Sequence, residues 1–209
     1  MWASTGWKDY ELLDCGKGKA GTLGSYTLVR PDPQAIWNTP RRHPGWKRYD
    51  ARYARSHTGG GQWVKKDLPQ RWQVRYGALT FNIKPMNFKH TGLFPEQAAN
   101  WNFIYDNCVR MRAEGRTPKV LNLFAYTGGA TLAARAAGAD TTHVDSVKQV
   151  VTWARENMEQ SGLEGVRWIV EDALKFVQRE VRRGNRYNGI ILDPPAYGRV
   201  PTAKVDSGG

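Results

Sequence analysis

The side chains best placed to do chemistry in this sequence are three acids that each close an apolar run. Asp145 follows Thr141-Thr142-His143-Val144, and its carboxylate can accept from both hydroxyls of a ribose. Asp172 stands in Glu171-Asp172-Ala173 after the run from Val166 to Val170, where an acid beside a small residue can meet an adenine ring. Asp193 opens Asp193-Pro194-Pro195-Ala196-Tyr197 after Gly189-Ile190-Ile191-Leu192. A chain that leaves through two prolines is stiff, so the carbonyls and the side chain of Asp193 are held in place. A fourth group has no acid: Phe124-Ala125-Tyr126-Thr127-Gly128-Gly129, whose adjacent glycines suit close passage of the backbone past a ligand.

These groups need elements that bring them to one edge. Four of the five residues Val120-Leu121-Asn122-Leu123-Phe124 are apolar, as in a strand covered on both faces, and the alanine-rich segment from 130 to 139 reads as a helix stopped by Gly138. A second helix is predicted over 147–160, with Val150, Val151, Ala154 and Met158 inward. A third is predicted over 173–183, with Leu174, Phe176 and Val177 inward and Lys175, Arg179, Arg182, Arg183 and Arg186 outward. The order β-α-β-α-β-α-β is that of the first half of a doubly wound sheet, with its first and fourth sequential strands side by side. All four candidate groups then fall at the carboxyl edge, where such sheets bind nucleotide-like ligands. The turn lacks G-x-G-x-x-G, which argues against a dinucleotide-dependent dehydrogenase and for a ligand without a pyrophosphate.

Upstream, Tyr10 to Asp14 and Ser25 to Arg30 read as a hairpin around a glycine turn over 16–21. Trp72, Val74 and Tyr76 alternate with polar residues, as do Leu79, Phe81 and Ile83, which predicts a second hairpin ending before Pro85. Pro95 is a plausible first residue of a helix whose packed face carries Trp101, Ile104, Tyr105, Cys108 and Met111. Residues 41–75 hold ten basic side chains, among them Arg41, Arg42, Lys47, Arg48, Arg52 and Arg55, against Asp50 and Asp67 alone. Trp46, Tyr49, Tyr53, Trp63 and Trp72 are interleaved with them. Cations that neutralise phosphates and rings that stack on unpaired bases suit single-stranded RNA. The same pattern also fits rings in a small core beneath a solvated basic face, and the sequence leaves both readings open.

The motifs N-L-F-A-Y-T-G-G at 122–129, V-D-S at 144–146, E-D-A at 171–173 and D-P-P-A-Y at 193–197 resemble those of class I S-adenosylmethionine-dependent methyltransferases. With K-H-T-G-L-F-P-E-Q at 89–97 and L-V-R-P-D-P-Q-A at 28–35, the chain resembles the bacterial large-subunit ribosomal RNA methyltransferases that modify cytosine C5, and their relatives. The resemblance implies a Rossmann-like class I methyltransferase sheet after a small β-rich, α+β N-terminal region. It implies S-adenosylmethionine held by Gln97, Phe124, Tyr126, Thr127, Gly128, Gly129, Asp145, Ser146, Asp172, Ala173 and Asp193, with residues 89–97 as a lid. Catalytic positions would be Asp193, Pro194, Pro195 and Tyr197, acting on RNA, with ribosomal RNA the expected substrate. D-P-P-A-Y also resembles the N/D-P-P-Y/F motif of amino-methylating enzymes. A non-catalytic RNA-binding protein is the competing reading from another class.

Composition fits a core-forming protein, with 40% hydrophobic and 24% charged residues over 209 positions. The expected division is an N-terminal region over 1–94, a candidate RNA binder, and a partial methyltransferase domain over 95–209. A formal charge of +12 suits a polyanionic partner. Two cysteines and four scattered histidines form no disulfide scaffold or metal-ligand spacing, so the expectation is no metal and a reducing, cytoplasmic setting. No run is long and apolar enough to span a bilayer, so no membrane partner is expected. The resemblance implies about three further strands after Leu192, in a sheet of the six-stranded type, and a catalytic cysteine beyond them. Residues 198–209 carry no strand or helix pattern, so the chain is expected to be truncated, with an apolar sheet edge open to self-association.

Overall fold

The computed structural model describes residues 4–32, 34–56, 60–65, 67–86 and 89–195. The expected Tyr197, and the segment 198–209, lie outside them. The parallel sheet is built from β8 (Lys119–Leu123), β9 (Asp140–Asp145), β10 (Val166–Val170) and β11 (Gly189–Leu192), in the order β10-β9-β8-β11. Its first and fourth strands are therefore neighbours, with Gly189 to Leu192 paired against Val120 to Leu123. The crossovers are α2 (Gly129–Ala136), α3 (Lys148–Gln160) and α4 (Ala173–Arg182), and α1 (Ala98–Ala113) precedes the sheet after a 3-10 turn over Pro95–Gln97.

The N-terminal part contains a five-stranded sheet: β1 (Tyr10–Cys15), β2 (Lys19–Leu23), β3 (Tyr26–Arg30), β4 (Ala51–Arg55) and β5 (Gly61–Lys65), in that spatial order. The predicted hairpin is thus a three-strand meander, and most of the glycine turn expected over 16–21 is strand. Ala20 and Leu23 are fully buried, and that burial decides against a loop. The second hairpin, β6 (Trp72–Tyr76) and β7 (Leu79–Ile83), is as expected, and it packs against α3.

One apolar cluster joins the two parts. Leu23, Leu28, Val74, Phe81 and Ile83 share it with Trp101, Leu132, Ala133 and Met158. Trp7 adds a polar tie, its indole N–H donating to the Pro95 carbonyl at 3.0 Å while its ring meets those of Tyr76 and Trp101. Val150, Val151, Ala154 and Met158 of α3 are all buried, as their spacing predicts.

Three expectations about faces need correction. Tyr105 of α1 and Leu174 of α4 point to solvent, the latter 65% exposed; helical spacing locates a face only within about one residue, and both sit at its margin. The rings of 41–75 are not an open stacking platform. Tyr53 is buried, and Trp46, Tyr49, Trp63 and Trp72 are half-buried. Tyr53 packs edge-on to Trp63, Tyr26 to Trp72, and the Trp46 indole donates to Asp14 at 2.8 Å. The described cations of the region, by contrast, are exposed.

Candidate functional site

Between β8 and α2 the chain takes the left-handed conformation three times, at Phe124 (φ 55°), Tyr126 (φ 49°) and Gly128 (φ 90°). For two bulky residues this costs about 1–3 kcal/mol each, so the surroundings must hold it. Asp145 does so from the end of β9, its Oδ2 accepting from the Tyr126 N–H at 3.0 Å. Thr127 does so from inside the turn, its hydroxyl donating to the Gly92 carbonyl at 2.6 Å. Asn157 of α3 donates to the Thr127 carbonyl at 2.9 Å and accepts from the Asn82 N–H at 2.8 Å. The Trp153 indole donates in turn to the Asn82 carbonyl at 2.9 Å. A buried polar chain therefore runs from β7 through α3 to the turn, and each member satisfies another.

The glycines of this region are explained by the protein itself. A Cβ at Gly92 would fall 2.1 Å from the Trp153 ring, and one at Gly129 would fall 2.5 Å from the Trp101 ring. Close passage is thus made against tryptophans. The expectation of passage against a ligand has its cause in packing at these positions.

Above the turn lies a cleft of about 820 Å³ at the carboxyl edge of the sheet. Phe124, Tyr126, Thr127, Gly128, Gly129, Asp145, Ser146 and Gln97 line it, as do Asp193, Pro194 and Pro195. Asp172 and Ala173 do not. Asp172 is the N-cap of α4, its Oδ1 accepting from the Lys175 N–H at 3.0 Å, and Ala173 is buried with Leu121, Val144 and Phe176. An acid before a helix has an orphan amide within reach, and here that local bond takes Asp172. Val147, Asn100 and Phe103 line the cleft without having been singled out in the sequence; no motif marks them.

Asp145 is the most constrained of the lining acids. Oδ1 accepts from the Val147 N–H at 2.9 Å and Oδ2 from Tyr126. A carboxylate offers about four lone-pair directions, so roughly two remain, one on each oxygen. That is the pattern a vicinal diol needs. The cleft thus fits a ribose-bearing ligand at Asp145.

Burial shapes the other titratable groups. The Tyr126 phenol is pushed up to about 12, chiefly by desolvation. His90, whose ring meets Phe94 at 5.0 Å, has its pKa lowered by burial and then by Lys89. His143 sits beneath the sheet edge, fully buried, and is lowered to about 3 by desolvation. Its Nδ1 lies 2.9 Å from the Thr131 hydroxyl, which also accepts from Asn122 at 2.9 Å. Cys108 is buried with its thiol pushed up by desolvation, the setting of a structural cysteine. Among the described residues no cluster of ligating side chains could hold a metal ion. No described helix is long and apolar enough to cross a membrane.

Comparison with known proteins follows this geometry. The family described as Conserved hypothetical protein 95 matches residues 101–204. The ribosomal RNA large subunit methyltransferase K/L of Syntrophotalea carbinolica is 35% identical over 147 residues, covering 68% of this chain and 19% of that protein. Its namesake in Magnetococcus marinus is 29% identical over 171 residues, covering 80% of this chain and 20% of that one. The chain therefore spans about a fifth of the length of these curated relatives. A crystal structure of an S-adenosylmethionine-dependent methyltransferase from Agrobacterium tumefaciens superposes with a TM-score of 0.84 at 41% identity, covering 94% of this chain and 63% of that one. A Streptococcus mutans structure superposes at 0.72 with 18% identity, covering 91% and 53%, and supports the fold alone.

Proposed function

Because this chain is a class I methyltransferase relative, related to the bacterial ribosomal RNA large subunit methyltransferase K/L family, we propose that it binds S-adenosylmethionine and transfers its methyl group to RNA. The observation that carries this reading is Asp145, tied by both oxygens to backbone amides and facing an 820 Å³ cleft at the strand ends. When bound, the cofactor supplies an electrophilic methyl on a sulfonium. The protein's part is to orient donor and acceptor and to exclude water.

Asp145 holds the ribose hydroxyls through its two remaining lone-pair directions. Val147, half exposed on the cleft wall, gives the adenine ring an apolar surface in place of the Asp172 contact. The strained turn from Phe124 to Gly128 sets the cleft floor, and Gln97, held by Asn100 at 2.7 Å, closes one side. At the mouth, the stiff Asp193-Pro194-Pro195 segment presents a carboxylate to the acceptor, with Tyr197 in the D-P-P-A-Y motif as the ring that stacks on it. Asp193 accepts a hydrogen bond from an acceptor N–H and takes up its proton as the methyl arrives.

The finer reading is a ribosomal RNA base, and an exocyclic amine is favoured over cytosine C5. Carbon C5 needs a thiolate to add first to C6, and neither cysteine of this chain lines the cleft. Calorimetry with S-adenosylhomocysteine tests the cofactor site, and tritiated methyl transfer to ribosomal RNA, followed by nucleoside analysis, tests the reaction. Micromolar binding with label in an N-methylated base is expected. Absence of cofactor binding would overturn the site, and label only at carbon would overturn the amine.

A further inference from the structure

Two more cavities lie in line with the cleft. On the five-stranded sheet a groove of about 310 Å³ is lined by Lys17, Arg41, Arg52 and Arg55 together with Arg30, and no carboxylate lines it. Arg30 and Pro31 also line an adjoining cavity of about 280 Å³ that contains Lys19, Asp32, Lys89 and Glu96. That cavity in turn shares His90, Leu93 and Phe94 with the cleft. The walls are therefore continuous from the basic face to the strand ends.

Arg30, at the first junction, is an unusual residue. It is 7% exposed, yet its Nε has no partner among the described residues, and its contact with the Thr91 hydroxyl is long at 3.5 Å. Asp32 nearby is engaged by Lys19 at 3.2 Å. A buried guanidinium so weakly matched is costly unless a ligand completes it. Arg41 in the groove is by contrast pre-positioned, donating to the Gly16 and Lys17 carbonyls at 3.0 and 3.2 Å and lying 4.4 Å from the centre of a Trp46 ring.

We propose that these cavities form the acceptor path. A single RNA strand runs its phosphates along the groove on Lys17, Arg41, Arg52 and Arg55, and one unstacked nucleotide turns inward. Its base enters the second cavity, where Arg30 donates to a ring acceptor, and its reactive edge faces the cleft past His90 and Phe94. The lining divides accordingly. A groove of cations suits phosphates, whereas donors mixed with Asp32 and Glu96 suit a base edge carrying both donors and acceptors. Chemistry on a base requires that it leave the stack, and a walled path beside the donor site permits that. This inference rests on the RNA reading above.

The test titrates the full chain with a short fluorescein-labelled single-stranded RNA of mixed sequence across a salt series, with S-adenosylhomocysteine calorimetry alongside. Arg52→Ala with Arg55→Ala is expected to weaken RNA binding about tenfold and to reduce the log–log salt slope by about 2, one for each lost phosphate contact. Arg30→Met is expected to lose most methyl transfer to RNA with cofactor affinity unchanged. Arg182→Ala with Arg186→Ala, exposed cations in and after α4, should alter neither. Equal losses from the α4 pair and the groove pair would overturn the path while leaving RNA as the substrate. Wild-type levels of binding by the groove variant would do the same. Cofactor binding without any salt-dependent RNA binding by the wild type would overturn the RNA reading and the path together. If Arg30→Met unfolds, the surface groove pair decides alone.

Discussion

The cleft at the parallel strand ends and the basic face of the five-stranded sheet are organised in opposite ways. At the cleft few charges are present, but each is held: Asp145 is tied at both oxygens, and the turn is pinned by Thr127, Asn157 and Asn82. On the basic face many charges are present, and the rings among them are turned into the small core. A small ligand with fixed hydroxyls rewards preorganised geometry, because misplacement costs the hydrogen bonds directly. A polyanion rewards charge density, because its phosphates are numerous and shift along a surface at little cost.

If the contrast holds, substitutions at the cleft act steeply and singly. Asp145→Ala should lower S-adenosylhomocysteine affinity about 100-fold, or roughly 2.7 kcal/mol, by removing two charge-assisted hydrogen bonds and freeing Tyr126. Calorimetry would measure it, and a change below about threefold (~0.7 kcal/mol) would show that the anchored carboxylate is not the contact.

The pinning network is tested by Asn157→Leu, which leaves the Asn82 N–H and the Thr127 carbonyl buried without partners. Destabilisation of about 2–4 kcal/mol is expected in urea unfolding, with a weaker cofactor site as well. Unchanged stability would mean that the turn holds itself.

His143 supplies a pH dependence. Its folded pKa of about 3 lies below the unfolded value near 6.5, so the unfolded chain binds the extra proton between them. Stability is therefore lost as pH falls from about 6.5 towards 3, at up to about 1.4 kcal/mol per pH unit. Urea midpoints of wild type and His143→Gln between pH 7 and pH 4, an interval chosen to lie mostly within that window, should converge as acid is added. Parallel curves would show that His143 titrates normally.

Asp172→Ala separates the two kinds of acid. It should cost about 1 kcal/mol of stability through the lost cap of α4 and leave cofactor affinity unchanged. A large loss of affinity would restore the adenine contact read from the sequence.

The smallest effect concerns association. Ile190 and Leu192 of β11 are 63% and 61% exposed on a strand whose described neighbour is β8 alone. We propose weak self-association through this edge in the 209-residue chain, reduced by Ile190→Lys with Leu192→Lys in sedimentation velocity. A concentration-independent monomer would remove the proposal.

Much of the site was legible in the sequence because strand ends have a fixed meaning in a parallel sheet. The runs ending at Leu123, Asp145, Val170 and Leu192 can be ordered and aligned from apolar pattern and turn residues alone, and their register places four polar groups along one edge. The network of Asn82, Thr127 and Asn157 was not legible. Its members are 75 and 30 positions apart in the chain, in elements whose patterns advertise only their apolar faces.

The sequence by itself determined the order of elements, the strand-end positions of Asp145 and Asp193, the helix face of α3 and the excess of cations over 41–75. Periodicity and charge are local properties, and each survives any arrangement of the rest of the chain. Tertiary structure alone decided that Asp145 faces the cleft while Asp172 caps a helix, that the rings of 41–75 fill a core, and that Arg30 stands where three cavities meet. Those outcomes depend on which buried polar group finds a partner, and partners separated in the chain are brought together only when the sheets and helices pack.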